Sequence, residues 1–370
     1  MPTLPDENSS FKQLRNIHWG PLIAAILLSI IGLATIQSAS AELATNYMPK
    51  QALRLAIGLF ILLWIFIVDY HVLVDFSLFL YLGGLCLLVL VLFIGHEAGG
   101  ARSWLVFGPL TLQPSEFSKV ATALLITRYL SRIQSTHLNL REIFTTVGIV
   151  AVPVVLIVLE RDLGSAAMFM PMLAGLLLVR GIRWQHLAAA GALGILFTIG
   201  FWNFGIKDYQ RQRIVSFMSP ESDPLGAGYQ ARQSKIAVGS GQVFGRGYGQ
   251  GTQSQLRFLP ARHTDFVIAV LAEEWGFVGV MVVLGLYALF LLSAARIATR
   301  ARDQAGLLVI VGVISVIAFH IVYNTGMVVG LLPITGIPLP FLSYGGSFTL
   351  VNFMTTGLIL NVDYRRYVNR

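Results

Sequence analysis

From Gln304 to Val362 the chain carries no charged residue. A helix needs about 20 consecutive apolar residues to cross the hydrocarbon core of a bilayer, so this stretch holds more than one crossing. Pro333, Pro338 and Pro340 break it, and it divides into two spans. Uncharged runs of spanning length also occur at Gly20 to Gln37, Phe76 to Gly95, Leu187 to Ile206 and Trp275 to Ala295, while shorter runs at Leu55 to Val68, Ile143 to Leu159 and Leu163 to Val179 reach that length with their flanks. A more polar, amphipathic segment from Gln113 to Leu130, opening with Pro114 where a helix tolerates proline, makes the tenth. The expectation is an all-α integral membrane protein of ten transmembrane helices, one polytopic domain over residues 1–370, with one large loop, 207–264, between spans seven and eight.

Composition agrees. With 55% hydrophobic and 12% charged residues, the chain has about half the charge of a soluble domain, which excludes a soluble enzyme, a disordered chain and a disulfide scaffold. An even number of spans puts both termini on one side. If that side is the cytoplasm, half of the 26 Lys and Arg fall in inner segments, and the short outer loops hold only Lys50, Arg102 and Arg161. The large loop, exempt from the rule because of its length, then faces outward. The net charge of +8 is topogenic, with no basic stripe to read as a nucleic-acid partner. Cys86 is the only cysteine; it lies in an apolar run and reads as a buried structural thiol. Ala39, Ser40 and Ala41 form an A-x-A pattern, but the preceding apolar run is longer than a signal peptide core, so the first helix is a permanent span.

The large loop offers two short amphipathic helices, one around Asp208 to Arg213 and one from Tyr229 to Val238, that suit a membrane interface or a solvated loop alike. The cluster GSGQVFGRGYGQG, Gly239 to Gly251, lacks the strand and the spacing of a nucleotide fingerprint. It reads as a flexible loop, with an anion site supported by Arg246 as the alternative.

Where the loop meets the eighth span, Arg262, His263, Asp265, Glu273 and Glu274 lie close together. Asp265 suits a helix cap, yet it keeps company with Glu116 and Lys119 in the fourth span and Asp162 at the start of the sixth, itself a good N-cap. Charges at or inside spans usually mark a site. The Leu331 to Ser347 segment joins helix breakers to apolar residues and lines a cavity or protein; Asn324 and Met327 before it are ordinary packing residues. His320, alone in an apolar helix, reads as a hydrogen-bonded core residue, and no His/Cys set suggests a metal.

GTQSQL (251–256), FLP followed by HTDF (263–266), AVLAEEWG (269–276) and PITGIPLPFLSYGGS (333–347) resemble the SEDS family of bacterial cell-wall proteins. DYQRQR (208–213), PESDPLGAGY (220–229) and QSKIAVGSG (233–241) are similar to its elongation-specific rather than its division-specific branch. The resemblance implies a ten-helix peptidoglycan glycosyltransferase of the bacterial inner membrane that polymerises lipid II on the outer side. It also implies partners: a class B penicillin-binding protein, the elongation machinery, the lipid-linked glycan strand and membrane lipid.

By the same resemblance Asp265 is catalytic, the QPSE motif covers Gln113 to Glu116, Lys119 is the family lysine and the family aspartate at Asp162 is retained; from their own positions in the sequence, Arg246, Arg262, His263, Glu273 and Ser343 are read as supporting or substrate-binding. The chain departs from the family in ERDLG for QPDLG at 160–164 and in Ala261 for the glutamate of FLPE. Attack by a sugar hydroxyl on an anomeric carbon bearing pyrophosphate needs a base but no acid, so Asp265 suffices as general base. Lys119, Arg246, Arg262 or a divalent cation such as Mg²⁺ held by Glu116 would stabilise the leaving group. A lipid II flippase and a non-catalytic scaffold are the alternatives.

Overall fold

The computed structural model describes residues 16–41, 47–98, 100–108, 110–183, 185–186, 188, 226–256 and 258–368. In chain order these form α1 (Gly20–Ser40), α2 (Met48–Ile67), α3 (Tyr70–Asp75), α4 (Ser77–Ile94), strands β1 (His96–Ala98), β2 (Ala101–Phe107) and β3 (Leu110–Leu112), then α5 (Pro114–Ser131), α6 (Leu140–Leu159), α7 (Leu163–Ala167) and α8 (Phe169–Arg180). After the large loop's first part come α9 (Ala227–Ser240), α10 (Thr252–Gln255), α11 (Val267–Thr299), α12 (Gln304–Val328) and α13 (Gly346–Val368). Among the described residues seven segments are long and apolar enough to cross a membrane: α1, α2, α4, α6, α7 with α8, α11 and α12. The span expected at Leu187 to Ile206 and the helix expected around Asp208 lie outside the described residues.

Local sequence sets the helix ends. Pro21, Pro49 and Pro114 open α1, α2 and α5 in the first turn, where a missing N–H costs nothing. Asn139 and Glu142 form a reciprocal capping box at α6, and Asp303 caps α12 by accepting from the Gly306 amide at 2.8 Å. Gly181 closes α8 with φ 96°.

Helix α2 packs along α13, α1 along α11, and α4 along α5, with α12 against α8, α11 and α5. Small residues make these approaches close: a β-carbon at Gly58 would meet Phe353 at 2.9 Å, and one at Gly32 would meet the Leu342 carbonyl oxygen at 2.7 Å. The outside is apolar, as lipid requires, with Phe60, Phe93 and Phe144 each at least 70% exposed. Helix α5 is the exception. Its Ser115, Glu116, Ser118, Lys119, Thr122 and Thr127 are all buried because α4, α6, α12 and α13 surround it. The amphipathic reading of this segment is therefore corrected: it is a polar helix enclosed on every side, with no face toward lipid.

One further expectation is overturned, and the helical fold gains one small addition. Cys86 is exposed on the outside of α4, because the buried positions of that helix are Tyr81, Gly84, Leu88 and Val91, a different face. The chain is also not wholly helical. An antiparallel sheet of order β1-β2-β3 fills the α4–α5 connection, where the exchange of polar and apolar residues is too short to read as strands.

The helix ends define two faces. On one, residues 16–18 meet the last helix: the His18 amide donates to Asp363 at 2.7 Å and the Tyr367 hydroxyl to the Asn16 carbonyl at 3.2 Å. The same face carries a clamp in which His71 lies 2.8 Å from Asp69 and 2.7 Å from Asp303, with the Tyr70 hydroxyl donating to Asp303 at 2.7 Å. Burial pulls the His71 pKa down, but its bonds to Asp303 and Asp69 more than offset this and hold it above the ordinary value. Because the folded pKa is raised, the stabilisation is complete below the unfolded pKa of about 6.5 and disappears as pH rises through the folded value. The expected outcome for His71→Ala is a lower melting temperature in detergent, with a deficit against wild type that is larger at pH 6 than at pH 9.

Candidate active site

On the opposite face, a short irregular segment and a proline-rich turn are laced together. Asn324, fully buried in α12, donates its amide to the Asp265 carbonyl at 2.8 Å and to the Ile337 carbonyl at 2.7 Å. The Ser343 hydroxyl donates to the Thr264 carbonyl at 2.6 Å while accepting from the Leu339 amide at 2.8 Å. The Tyr344 amide donates to the His263 carbonyl at 2.9 Å. Residues 263–265 are thus pinned to 337–344, which satisfies the non-helical backbone that a membrane interior would otherwise leave unpaired.

Asp265 is half-buried in this lacing. It does not cap α11: Phe266 takes the N-cap position and no side chain caps the helix. The cap reading is corrected, and the carboxylate instead lies beside the backbone of Gly336, where φ is 73° and a β-carbon would sit 3.4 Å from Oδ2. Asn324, read from sequence as packing, is a structural holder of this strand.

Aromatic and basic groups flank Asp265. The His263 ring stacks on Tyr47 at 4.6 Å and meets Tyr344 edge-on at 5.6 Å. Burial, with the neighbouring Arg262 cation, holds the His263 pKa below its ordinary value, so it is a neutral stacking group near pH 7. Arg262 is buried, 4% exposed. From α2, the Gln51 amide donates to Thr349 at 2.9 Å while its oxygen accepts from the Gly345 amide at 3.3 Å. Tyr47, Gln51 and Arg54 were not singled out by sequence because nothing in a span's first turns distinguishes a site residue from an anchor.

Glu116 and Lys119 come together in α5 at 2.9 Å, both 4% exposed or less. His320 lies 3.5 Å from Lys119 and its other ring nitrogen bonds the Pro338 carbonyl at 3.0 Å, in keeping with a hydrogen-bonded core histidine. These side chains, with Asn352 and Thr355, line a cavity of about 30 Å³, room for roughly one or two waters. Among the described residues no three His, Cys, Asp or Glu side chains gather as a metal set, and Glu116 already meets a lysine. This donor set does not fit the all-oxygen cluster that a divalent cation takes.

Asp162 is the N-cap of α7, accepting from the Ser165 amide at 3.0 Å and hydroxyl at 2.8 Å and from Gln113 at 3.0 Å. Gln113 and Asp162 are therefore joined, but through a cap rather than an open carboxylate. Beside them Glu160 is 1% exposed, and neither carboxylate oxygen has a hydrogen-bond partner. Burial, helped by the Asp162 charge, raises its pKa to about 8.

Glu273 and Arg246 belong to a second assembly. Helix α11 breaks at Gly276, where φ is 66° and ψ −165°, and the glycine-rich segment plugs the break. The Arg246 and Gly247 amides donate to the Glu273 and Glu274 carbonyls at 3.0 Å each, and the Phe277 and Val278 amides donate to the Gln242 and Val243 carbonyls at 2.9 and 3.1 Å. The flexible-loop expectation is thus corrected, since the backbone pairing of this segment with a broken helix fixes it. The fully buried Glu273 carboxylate caps α10, accepting from the Gln253 amide at 2.9 Å and the Ser254 amide at 3.2 Å. Arg246 is exposed and donates to Thr252 at 2.8 Å. Helix α9, expected at Tyr229 to Val238, is present and docks on α11 and α12.

A family model described as "Cell cycle protein", for the FtsW, RodA and SpoVE group, matches residues 18–368. The peptidoglycan glycosyltransferase MrdB of Escherichia coli K12 is 37% identical over 354 residues, covering 95% of each chain. A chain from a peptidoglycan synthase complex, solved to show structural coordination of polymerization and crosslinking, matches with a TM-score of 0.83 at 30% identity, over 95% of this chain and 99% of that one. The rod shape determining protein RodA of Thermus thermophilus matches with a TM-score of 0.72 at 28% identity, over 95% and 98%.

Two outcomes follow from the geometry. A β-carbon at Gly276 would lie 2.2 Å from the Gly245 nitrogen and 2.6 Å from the Val243 carbonyl oxygen, and φ there is positive. Gly276→Ala is expected to cost at least about 2 kcal/mol, seen as faster proteolysis of the 241–256 segment. Glu160 has a raised folded pKa, so the stability it contributes is complete below the unfolded value of about 4.3 and lost as pH climbs through about 8. Glu160→Gln is expected to raise the melting temperature at pH 9 relative to wild type and to have little effect at pH 4.

Proposed function

The chain belongs to the FtsW/RodA/SpoVE family and is a peptidoglycan glycosyltransferase of the elongation type, and we propose that Asp265 is the general base with which it polymerises lipid II. The observation that carries the reading is the placement of Asp265, which is half-buried, does not cap its helix, and sits on a backbone whose carbonyls at 264 and 265 accept from the Ser343 hydroxyl and the Asn324 amide. A base held this way keeps its geometry through the reaction, which is where positioning contributes most.

In the step, the acceptor GlcNAc 4-hydroxyl oxygen forms a bond to the anomeric carbon of the donor as the bond from that carbon to the pyrophosphate oxygen breaks. The hydroxyl proton passes to the Asp265 carboxylate, and undecaprenyl pyrophosphate leaves with the electron pair. An α-linked donor gives a β-linked product by inversion. No acid is required because pyrophosphate is a good leaving group. Lys119 and Glu116 neutralise each other beneath the turn, so their part is to hold α5 against His320 and Pro338.

The protein is a bacterial membrane protein. The distribution of Lys and Arg supports cytoplasmic termini, on the face where residues 16–18 and 363–367 meet, and an active site on the outer face with Asp265. A class B penicillin-binding protein is the expected partner, since a synthase complex needs a crosslinking enzyme for the strand that this chain extends.

With labelled lipid II and the purified protein in complex with its transpeptidase, Asp265→Asn is expected to lower kcat by 10²–10⁴-fold at an unchanged melting temperature. Wild-type polymerisation by that variant would overturn the assignment, and lipid II transport without polymer by the wild type would favour a flippase.

A further inference from the structure

Arg54 lies two turns inside α2, on the face that carries Asp265, in a segment flanked by apolar residues. Its guanidinium carbon stands 4.4 Å over the Tyr344 ring. Nη1 is buried and has no hydrogen-bond partner, and none of the ion pairs among the described residues includes this side chain. A cation inside a span is costly and is retained where it meets a charged partner, and here the protein supplies only an aromatic face.

The chemistry of the missing partner is legible from the geometry. A guanidinium stacked on a ring keeps its N–H donors in the plane of the stack, a planar fork that fits phosphate oxygens two at a time. The backbone at Gly346 lies alongside, since a β-carbon there would sit 3.6 Å from Arg54 Nε, so no side chain from the start of α13 fills the space. The same Tyr344 that carries Arg54 donates its amide to the His263 carbonyl at 2.9 Å, two residues from Asp265. Two of the other cations considered for the leaving group are differently engaged, Lys119 with Glu116 at 2.9 Å and Arg246 with Thr252 at 2.8 Å, and the third, Arg262, is buried at 4% exposure.

We propose that Arg54, held on the Tyr344 ring, binds the pyrophosphate of the lipid-linked substrate. It rests on the reading of Asp265 as the base of the same site. As the bond from the anomeric carbon to the pyrophosphate oxygen breaks, negative charge gathers on that oxygen, and a fixed guanidinium stabilises it without accepting or losing a proton.

The test uses the full-length protein in complex with its transpeptidase, with inorganic pyrophosphate as probe. Pyrophosphate is expected to raise the melting temperature of the wild type and of Asp265→Asn, and to inhibit wild-type polymerisation of lipid II. Arg54→Gln is expected to abolish the thermal shift, to weaken the inhibition at least about tenfold, the size of a lost charge-assisted hydrogen bond, and to raise KM for lipid II by a similar factor. Arg54→Lys, which keeps the charge and loses the fork, is expected to fold as wild type and to fall between the two. A wild-type thermal shift and unchanged inhibition in Arg54→Gln would overturn the proposal, as would wild-type inhibition in Arg54→Lys together with a misfolded Arg54→Gln. Failure of the Asp265 assignment is read separately, from polymerisation by Asp265→Asn, and leaves the pyrophosphate shift as it was.

Discussion

A peptide group within a bilayer has no water to bond, so every interruption of a helix there must be closed by other protein groups. Among the described residues two such interruptions lie on one face, the first closed by backbone and the second chiefly by the side chains of Asn324 and Ser343. At Gly276 the amides and carbonyls freed by the break pair with residues 242–247. Beyond α12, the turn through Pro338 and Pro340 is closed by Asn324, Ser343 and the 263–265 segment. The two closures share α11, whose first turns run from Val267, two residues after Asp265, to the break at Gly276. The segment that presents the carboxylate is therefore tied at both ends, and its rigidity is a by-product of the need to leave no polar group unpaired.

The acidic residues around this segment divide by what their oxygens accept. Asp162 and Glu273 are saturated with amide and hydroxyl donors and serve as caps. Glu116 meets Lys119. Glu160, with no donors, is held neutral by burial over most of the pH range. A protonated carboxylic acid has the size and the neutral polarity of glutamine, but holding this glutamate protonated is free of cost only below its unfolded value of about 4.3, and the penalty grows from there until the pH passes about 8. Asp265 differs from all of these in being half-exposed, with its backbone carbonyl held by Asn324.

The spans were legible because a lipid-facing helix must be apolar for about 20 residues, and Gly20 to Gln37 or Phe76 to Gly95 can be little else. What escaped was whatever depends on neighbours. The Gln113 to Leu130 segment has the composition of an amphipathic surface helix, and only its encirclement by four others shows why its serines and threonines avoid lipid. The glycine cluster looked flexible because glycine permits many conformations; the break that selects one lies some thirty residues further on. Cys86 was assigned to the interior because an apolar run gives no sign of which face meets protein. For the site, motif resemblance named Asp265, Glu116 and Lys119, while Tyr47, Arg54 and Asn324 gave no signal, since a tyrosine, an arginine or an asparagine near a span end is ordinary.

Helix α5 carries a consequence for how the protein is made. Its polar residues, Lys119 and Glu116 among them, would make it a poor candidate to leave the translocation machinery for lipid by itself. The sheet that joins it to α4 is short, and α4 is among the most apolar segments of the chain. Biogenesis must then deliver the two as a hairpin, with α4 as the anchor, and hold α5 in a sheltered place until α12 and α13, synthesised last, enclose it. A chain truncated before α12 would leave a lysine and a glutamate facing lipid, which makes the central helix a checkpoint for completion of the whole bundle.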